Sequence, residues 1–372
     1  MKILLKIIIL LILATSINVE KLYADEKIKI GLLIPLSGKG SEIGKSVLQS
    51  VRLAINKIDD SNIKIFPKDS GGNPEKTLAA AIELRDQGIK IVIGPIFNDN
   101  LAYLDELKEM VFLSLTNKNI NNPKNVISAG INASSQINTI KKFRKLNNIE
   151  RTIFLIPNSD FTEDIEEAIS KSKIKLKYTH IYETDPTQLT RQIEEITRYQ
   201  QRKQNLEDEI KRLEISDEEN KKWKIENLKK KDTLGGINFD SVIVADFDES
   251  LKSVFTSLLY TDVSPDRIFY ITLNQWFDES FLKEESLQPV YFPSINKENY
   301  DIFINEYNKI YNQRPNQISF LSYDLVGLVY YLIYQNNFII NDKIFYKKNK
   351  FKGKVGIFEI NKNRINHVLN FY

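Results

Sequence analysis

Short runs of consecutive apolar residues alternate along the first third of the chain with amphipathic stretches. The apolar runs, which predict buried strands, are residues 28–35, 63–66, 91–93 and 111–115. The stretches between them, which place apolar residues three and four apart and predict helices, are residues 44–58, 74–87 and 100–110. Strands that are apolar throughout and separated by helices are typical of a parallel sheet covered on both faces.

A second round of the same pattern follows the Asn-rich stretch 117–124. Its predicted strands are residues 152–156, 176–182, 241–245 and 268–272. A chain of 372 residues also exceeds what one hydrophobic core usually serves. The sequence therefore predicts an α/β protein with two doubly wound, Rossmann-like lobes.

A charged insertion interrupts the second round at residues 188–233. Its apolar residues keep helical spacing, and glycine and proline are absent until residue 235, which predicts a helical hairpin within the second lobe. Ser216 followed by Glu219 is a capping-box pattern that predicts the start of the second helix. The hairpin is either a solvated insertion or an arm that docks a partner, and Trp223 is the candidate partner-binding residue.

The N-terminal residues 1–24 have the pattern of a signal peptide, with lysines first, an apolar core and a polar end at Ala24. We expect export with cleavage near Ala24 and no membrane span in the mature chain, since no later segment is long and apolar enough. Cysteine is absent from the sequence. That composition excludes disulfides, thiolate metal sites and a lipid on an N-terminal cysteine, so we expect a secreted, non-lipidated protein.

The net charge and the lack of catalytic or metal-binding motifs argue against nucleic-acid binding, metal binding and catalysis. A formal net charge of +3 predicts no nucleic-acid surface. His180 and His367 have no neighbours with metal-ligand spacing and are interpreted as structural, so we expect no metal, no cofactor and no catalytic residues. The stretch 38–46 resembles a phosphate-binding loop, but the separation of its glycines is wrong for one. The protein is therefore predicted not to be an enzyme.

Polar loops follow the predicted strands at their carboxyl ends, where doubly wound sheets bind ligands. The candidate ligand-binding residues in these loops are Ser37, Gly38, Asn98, Asp99, Asn100, Ser114, Thr116, Asn158, Asp160, Asp246 and Asn274. A second interpretation stays open for each of them, because Asn, Ser and Asp also cap helices and form turns. Trp276 either lines the same region or packs in the core, and we expect packing.

Five segments in order resemble the leucine/isoleucine/valine-binding type of periplasmic binding protein. They are residues 30–38, 69–74, 92–95, 322–324 and 351–358. The resemblance implies a type I fold with three crossovers between the lobes. It predicts a first lobe of residues 25–129 plus 288–338 and a second lobe of residues 130–287 plus 339–372. It also implies a periplasmic location and a carboxylate-binding role for the loops at residues 97–101 and 114–118.

The carboxylate-binding loop departs from the transport members, because Asp99 would repel a ligand carboxylate. Residues 94–101 and 112–117, together with the charged hairpin, are more similar to bacterial penicillin-binding-protein activators. That branch implies a regulator of peptidoglycan synthesis whose partner is a penicillin-binding protein. The alternative is the substrate-binding subunit of an ABC importer for amino acids, with a permease as partner and a small polar ligand.

Overall fold

A computed structural model describes residues 28–372. The predicted signal peptide, residues 1–24, lies outside the described residues. The chain divides into two compact units, the first ending at Gly130 and resuming at Asn299–Asn366, the second formed by Ile131–Glu298 and His367–Tyr372. The chain therefore crosses between units three times, as the resemblance implies.

The strands follow the predicted apolar runs to within a few residues wherever such a run was identified. They are β1 Ile28–Ile34, β2 Ile63–Asp69, β3 Ile91–Ile93, β4 Val111–Ser114, β5 Val126–Ser128, β6 Thr152–Pro157, β7 Tyr178–Tyr182, β8 Ser241–Val244, β9 Phe269–Thr272, β10 Val290–Tyr291, β11 Pro293–Ser294, β12 Asn349–Lys352, β13 Ile357–Asn361, β14 Arg364–Val368 and β15 Asn370–Phe371.

The helices cover these strands and form the charged insertion. They are α1 Ser41–Ile58, α2 Pro74–Asp86, α3 Ala133–Leu146, α4 Thr162–Ser172, α5 Pro186–Thr197, α6 Tyr199–Ile215, α7 Lys221–Leu228, α8 Asp248–Tyr260, α9 Glu279–Leu282, α10 Lys297–Tyr311 and α11 Ile318–Gln335. Short 3-10 helices occur at Asn98–Leu101, Leu104–Glu106, Glu285–Leu287 and Asp342–Phe345.

The first unit is built on an eight-stranded sheet with the order β12-β13-β14-β5-β4-β3-β1-β2. Strands β1 to β5 pair in parallel. Helices α1 and α11 pack together, and the hydroxyl groups of Ser46 and Ser319 lie 2.7 Å apart. A buried apolar cluster that includes Leu33, Val92 and Phe112 fills this unit.

The second unit is built on a five-stranded parallel sheet with the order β10-β9-β8-β6-β7. Alternate residues of β6 enter different clusters: Ile153 and Leu155 join one, and Phe154 and Ile156 join the other. All four are buried, so both faces of the sheet are covered. This is the doubly wound arrangement that the continuous apolar runs predict.

Strand partners at the end of the chain differ from the predicted domain boundaries. Residues 339–366, expected in the second lobe, belong to the first unit, because β12 to β14 extend the sheet at β5. Residues 288–298, expected in the first lobe, belong to the second unit, because β10 pairs with β9 and β11 with β15. Such pairings are chosen over long sequence separations, which local patterns do not encode.

The insertion is also shorter than predicted. Helix α5, which holds residues 188–197, buries Leu189 and Ile193 in the core of the second unit. Helices α6 and α7 form the hairpin itself. Over residues 28–372, no helix combines the length and apolar character that a membrane span requires.

Candidate functional site

The loop after β1 is organised by Asp69, at the end of β2. Its carboxylate accepts hydrogen bonds from the backbone N–H groups of Leu36 at 2.7 Å and Gly71 at 2.8 Å. It also accepts from the backbone N–H and the hydroxyl of Ser37, at 3.1 and 2.5 Å. The candidate hydroxyl of Ser37 is thus engaged by a neighbouring strand end.

Gly38 is required where this loop meets the loop after β2. Its φ angle is +69°, and an added Cβ atom would lie 2.8 Å from the carbonyl oxygen of Gly71. Burial alone would raise the pKa of Asp69, but the hydrogen bonds from Ser37, Gly71 and Leu36 lower it to about 2. The carboxylate is therefore ionised at neutral pH and fixes the loop.

The loops after β3 and β4 bring Asn98 and Thr116 together. The hydroxyl of Thr116 lies 3.5 Å from Oδ1 of Asn98 and accepts from the backbone N–H of Lys118 at 3.2 Å. The hydroxyl of Ser114 donates to the carbonyl oxygen of Pro95 at 2.8 Å. Both candidate hydroxyls therefore link the loop after β4 to the loop after β3.

The stretch from Asn98 to Asn100 begins a 3-10 helix instead of the predicted α-helix. Asn100 is 1% exposed, so its side chain is part of the interior. Asp99, by contrast, is exposed. Of the three adjacent candidates, Asn98 and Asp99 are accessible to solvent and Asn100 is not.

In the second unit, Asp246 follows β8 and is nearly buried. Its carboxylate accepts hydrogen bonds from the hydroxyl of Tyr182 and from the backbone N–H of Phe247, the latter at 2.8 Å. Burial raises the pKa of Tyr182, and the charge and hydrogen bond of Asp246 raise it further. Tyr182 thus stays a hydrogen-bond donor, and Asp246 is fixed between β7 and β8.

Asn274 follows β9 and is buried. Its backbone N–H donates to Oε1 of Gln136 at 2.8 Å, and its Oδ1 accepts from the backbone N–H of Trp276 and the hydroxyl of Ser294. Trp276 is half-buried with φ of +50°, a conformation that few non-glycine residues adopt. Asn274 is therefore a structural junction in the loop that carries Trp276.

Asn158 and Asp160 follow β6 and are exposed. The amide nitrogen of Asn158 donates to Oε1 of Glu183 at 3.0 Å. Strands β6, β8 and β9 are neighbours in the second sheet, as β1, β3 and β4 are in the first. The candidate residues of each unit therefore share one sheet edge, and their role in ligand binding stays a prediction.

The sequence pattern pointed to Gln275 beside Asn274 but not to Asp69 as a residue of these loops. The amide of Gln275 donates to the carbonyl oxygen of Asp246 at 3.1 Å. Asp69 is the last residue of β2, which is adjacent to β1, so the rule that selected Ser37 would also have selected Asp69.

The hairpin presents Trp223, which is 66% exposed. No residue of its helix α7 is buried, whereas Leu206 and Leu213 of helix α6 are. Glu218, in the turn, forms ion pairs with Arg212 at 2.8 Å and Lys224 at 2.6 Å. These pairs link helix α6, the turn and helix α7, so Trp223 is held on an ordered element.

His180 is half-buried on β7, and His367 is buried with its backbone N–H donating to Oγ of Ser135 at 2.9 Å. Within residues 28–372, no cluster of His, Asp or Glu has the geometry of a metal site. The two histidines are thus separate parts of the fold.

A sequence model of the periplasmic binding protein family matches residues 27–202. No curated protein sequence matches the chain. One solved structure with a similar fold is a Rhodospirillum rubrum protein described as a putative branched-chain amino acid ABC transporter. It is 14% identical in sequence, the match covers 92% of this chain and 96% of that chain, and the TM-score is 0.70.

Two further structures represent the two predicted branches. The C-domain of LpoA from Haemophilus influenzae, a regulator of PBP1A, has 14% identity, covers 92% of this chain and 96% of its own, and has a TM-score of 0.60. LivJ from Streptococcus pneumoniae in complex with isoleucine has 15% identity, covers 93% of this chain and 100% of its own, and has a TM-score of 0.52. At these identities the likeness establishes the fold, that of a type I periplasmic binding protein, and the sequence model shows that residues 27–202 match the periplasmic binding protein family.

Proposed function

We propose that the chain is an exported, non-enzymatic regulator of peptidoglycan synthesis that binds a penicillin-binding protein. The observation that carries the proposal is the exposed Trp223 on an ordered, charged hairpin. Tryptophan is enriched among the residues that dominate binding energy at protein interfaces. A solute-binding subunit has no evident use for such a residue outside its ligand-binding loops.

The attachment of the hairpin supports this role. Arg202 in helix α6 is 3% exposed and donates hydrogen bonds to the carbonyl oxygen of Thr197 and the hydroxyl of Thr233. A docking element fixed in this way loses little conformational entropy when a partner binds. The hairpin can therefore present Trp223 without a prior folding step.

The loops of the first unit also suit a regulator better than an amino-acid carrier. The hydroxyls of Ser114 and Thr116 are engaged by the loops after β3 and β4, and Asp99 places an exposed negative charge beside them. A free amino acid would bring its carboxylate towards that charge, which is unfavourable. The same loops in a regulator have no carboxylate to accommodate.

The predicted location of the protein agrees with this proposal. Export through the predicted signal peptide would place the mature chain in the periplasm, where peptidoglycan synthases act. The sequence contains no cysteine that could carry a lipid.

The test measures binding and stimulation together. The purified mature chain is titrated against the class A penicillin-binding proteins of the organism that encodes it, and glycan polymerisation is recorded with and without the chain. We expect Trp223→Ala to weaken binding at least about tenfold, since hot-spot truncations cost more than 1 kcal/mol. Leu146→Ala, at an 82% exposed residue of the second unit outside the hairpin, is the matched control and should bind normally.

Failure of every synthase to bind, or equal binding by Trp223→Ala, would refute the proposal. The second candidate function is that of an amino-acid-binding subunit of an ABC importer. Asp246 favours this function, because a carboxylate that follows β8 can accept a hydrogen bond from the ammonium group of an amino acid. Calorimetric titration with a panel of amino acids separates the two. Micromolar affinity for any amino acid that is abolished by Asp246→Asn would establish the importer function instead.

A further inference from the structure

The connection from β3 to β4 contains no α-helix, although a doubly wound fold usually has one there. Two 3-10 helices, Asn98–Leu101 and Leu104–Glu106, replace it. A groove of about 950 Å³ lies between this segment and the loop at residues 120–125, entirely within the first unit. We call it the asparagine groove.

The two walls of the asparagine groove are tied together. The side-chain amide of Asn125 donates to the carbonyl oxygens of Leu104 at 2.8 Å and Leu107 at 2.9 Å. Asn122 fixes the loop further by donating to Oγ of Ser128 at 2.7 Å. These bonds hold the groove in one shape without a ligand, which lowers the entropy lost on binding.

The groove has a polar and electrically balanced lining. Asp99 and Asp105 contribute two negative charges, and Lys108 and Lys124 contribute two positive charges, so their sum is zero. Four asparagines, at positions 98, 121, 122 and 125, supply most of the remaining polar groups. A balanced lining gives no net attraction to an anion or a cation, and its polarity disfavours an apolar ligand.

Two tyrosines provide flat apolar surface beside these polar groups. Tyr103 is 48% exposed, and its backbone φ of +72° is a conformation that bulky residues rarely adopt. Tyr346 lines the groove as well, and its hydroxyl lies 3.4 Å from the carbonyl oxygen of Lys124. An aromatic ring of this kind combines apolar faces with a polar tip.

We infer that the asparagine groove binds a neutral saccharide. A sugar ring has an apolar C–H face that packs on a tyrosine ring, and its adjacent hydroxyl groups both donate and accept. The side-chain amides of Asn98 and Asn121 match those hydroxyls, because an amide has two donors and an acceptor, whereas the amide donors of Asn122 and Asn125 hold the groove walls. Asp99 and Asp105 add further acceptors. The inference does not depend on the proposed synthase partner.

The test is calorimetric titration of the purified chain with chitotetraose, cellotetraose and maltotetraose. We expect at least one of them to bind with a Kd below about 1 mM. Tyr103→Ala should weaken that binding about tenfold, since ring packing is lost. Asn121→Ala, at an exposed position, is a second variant that removes hydrogen bonds without disturbing the core.

Two control variants sharpen the result. Tyr334→Ala removes a tyrosine of the same unit that is 59% exposed and does not line the groove, and this variant should bind as the unaltered chain does. Lys108→Met should change affinity less than about twofold if the ligand is neutral. Circular dichroism confirms that each variant is folded.

The inference is overturned if none of the three saccharides binds at 10 mM, on the order of the weakest specific affinities. It is equally overturned if Tyr103→Ala and Asn121→Ala both bind as the unaltered chain does. Because this titration contains no synthase, its failure leaves the regulator proposal standing, and the reverse also holds.

Discussion

The guanidinium group of Arg202 donates a hydrogen bond to the carbonyl oxygen of Thr261, the residue that ends helix α8. The same group lies 3.8 Å from the carboxylate of Asp262. Burial lowers the pKa of Arg202, and the charge of Asp262 acts in the opposite direction. This buried cation, with hydrogen bonds to Thr197, Thr233 and Thr261, joins the hairpin to the body of the second unit.

Substitution of Arg202 by Met should destabilise the second unit by about 2–4 kcal/mol, because the variant leaves the carbonyl oxygens of Thr197 and Thr261 without the donor that Arg202 supplies. Urea unfolding measured by circular dichroism gives the change in free energy. Arg191→Met is the matched control, since its ion pair with Glu195 is largely exposed and should change stability by less than about 0.5 kcal/mol. Equal effects of the two substitutions would contradict the role assigned to Arg202.

Gly44 allows helix α1 to start against the end of β1. A Cβ atom at this position would lie 1.8 Å from the carbonyl oxygen of Pro35, so the backbone would have to move. We expect Gly44→Ala to cost more than about 3 kcal/mol and to lower yield of folded protein. Gly236→Ala is the control, because no atom lies within 4 Å of its added Cβ. Thermal unfolding of both variants decides the question, and a tolerated Gly44→Ala would show that the helix start can shift.

The buried strands could be predicted from sequence because a strand covered on both faces must be apolar throughout. Ile153, Phe154, Leu155 and Ile156 show this directly, since alternate residues fill two different clusters. The loops at the strand ends follow from the same reasoning, and the structure places them on shared sheet edges. What those loops bind depends on side-chain orientation, which the pattern does not contain.

The 3-10 helices after β3 were mistaken for an α-helix, although the sequence held a usable signal. Leu101, Leu104 and Leu107 are all buried and lie three residues apart. That repeat matches the three residues per turn of a 3-10 helix better than the 3.6 of an α-helix. An α-helical stripe would also have needed apolar residues at four-residue steps.

The prediction that Ser216 starts the second helix of the hairpin is wrong. The hydroxyl of Ser216 donates to the carbonyl oxygen of Leu213 at 3.0 Å, so Ser216 ends helix α6. Helix α7 begins five residues later, at Lys221, and its preceding residue Asn220 makes no side-chain capping bond. A serine between two helices can serve either one, and the motif does not say which.

Asp69 should make the stability of the first unit depend on acid. Its pKa is lowered to about 2 by hydrogen bonds that more than offset burial, against an ordinary value of 3.8. The contribution of Asp69 to the free energy of unfolding is therefore complete above pH 3.8 and disappears as the pH falls through about 2. Asp69→Asn should cost about 1 kcal/mol at pH 7, allowing for solvent screening of this exposed group, and much less at pH 2.

Thermal unfolding of the unaltered chain and the variant from pH 2 to 7 measures that difference. Ser37→Ala removes one of the donors to Asp69 and should give a smaller change with the same pH dependence. If the unfolding temperatures of Asp69→Asn and the unaltered chain differ by the same amount at every pH, the charge of Asp69 does not explain the destabilisation.

Asp324 should produce the opposite pH dependence. It is 3% exposed and accepts hydrogen bonds from the backbone N–H groups of Lys354 and Val355. Burial raises its pKa from 3.8 to about 6, because those bonds and the Lys354 charge only partly offset desolvation. The contribution of Asp324 to the free energy of unfolding is then complete below pH 3.8 and is lost as the pH rises through about 6. The loss lowers the free energy of unfolding by about 3 kcal/mol.

Asp324→Asn removes the ionisation and keeps one oxygen that can accept from Lys354 or Val355, so one of the two hydrogen bonds is lost at every pH. The free energy of unfolding of this variant should therefore vary less between pH 4 and 7 than that of the unaltered chain. Asp266→Asn, at an exposed position of the second unit, is the control and should leave the pH profile in place. Urea denaturation at four or more pH values gives both profiles. Parallel curves for Asp324→Asn and the unaltered chain would mean that Asp324 does not take up a proton on folding, and that the turn at residues 353–355 is held by an ionised carboxylate throughout this range.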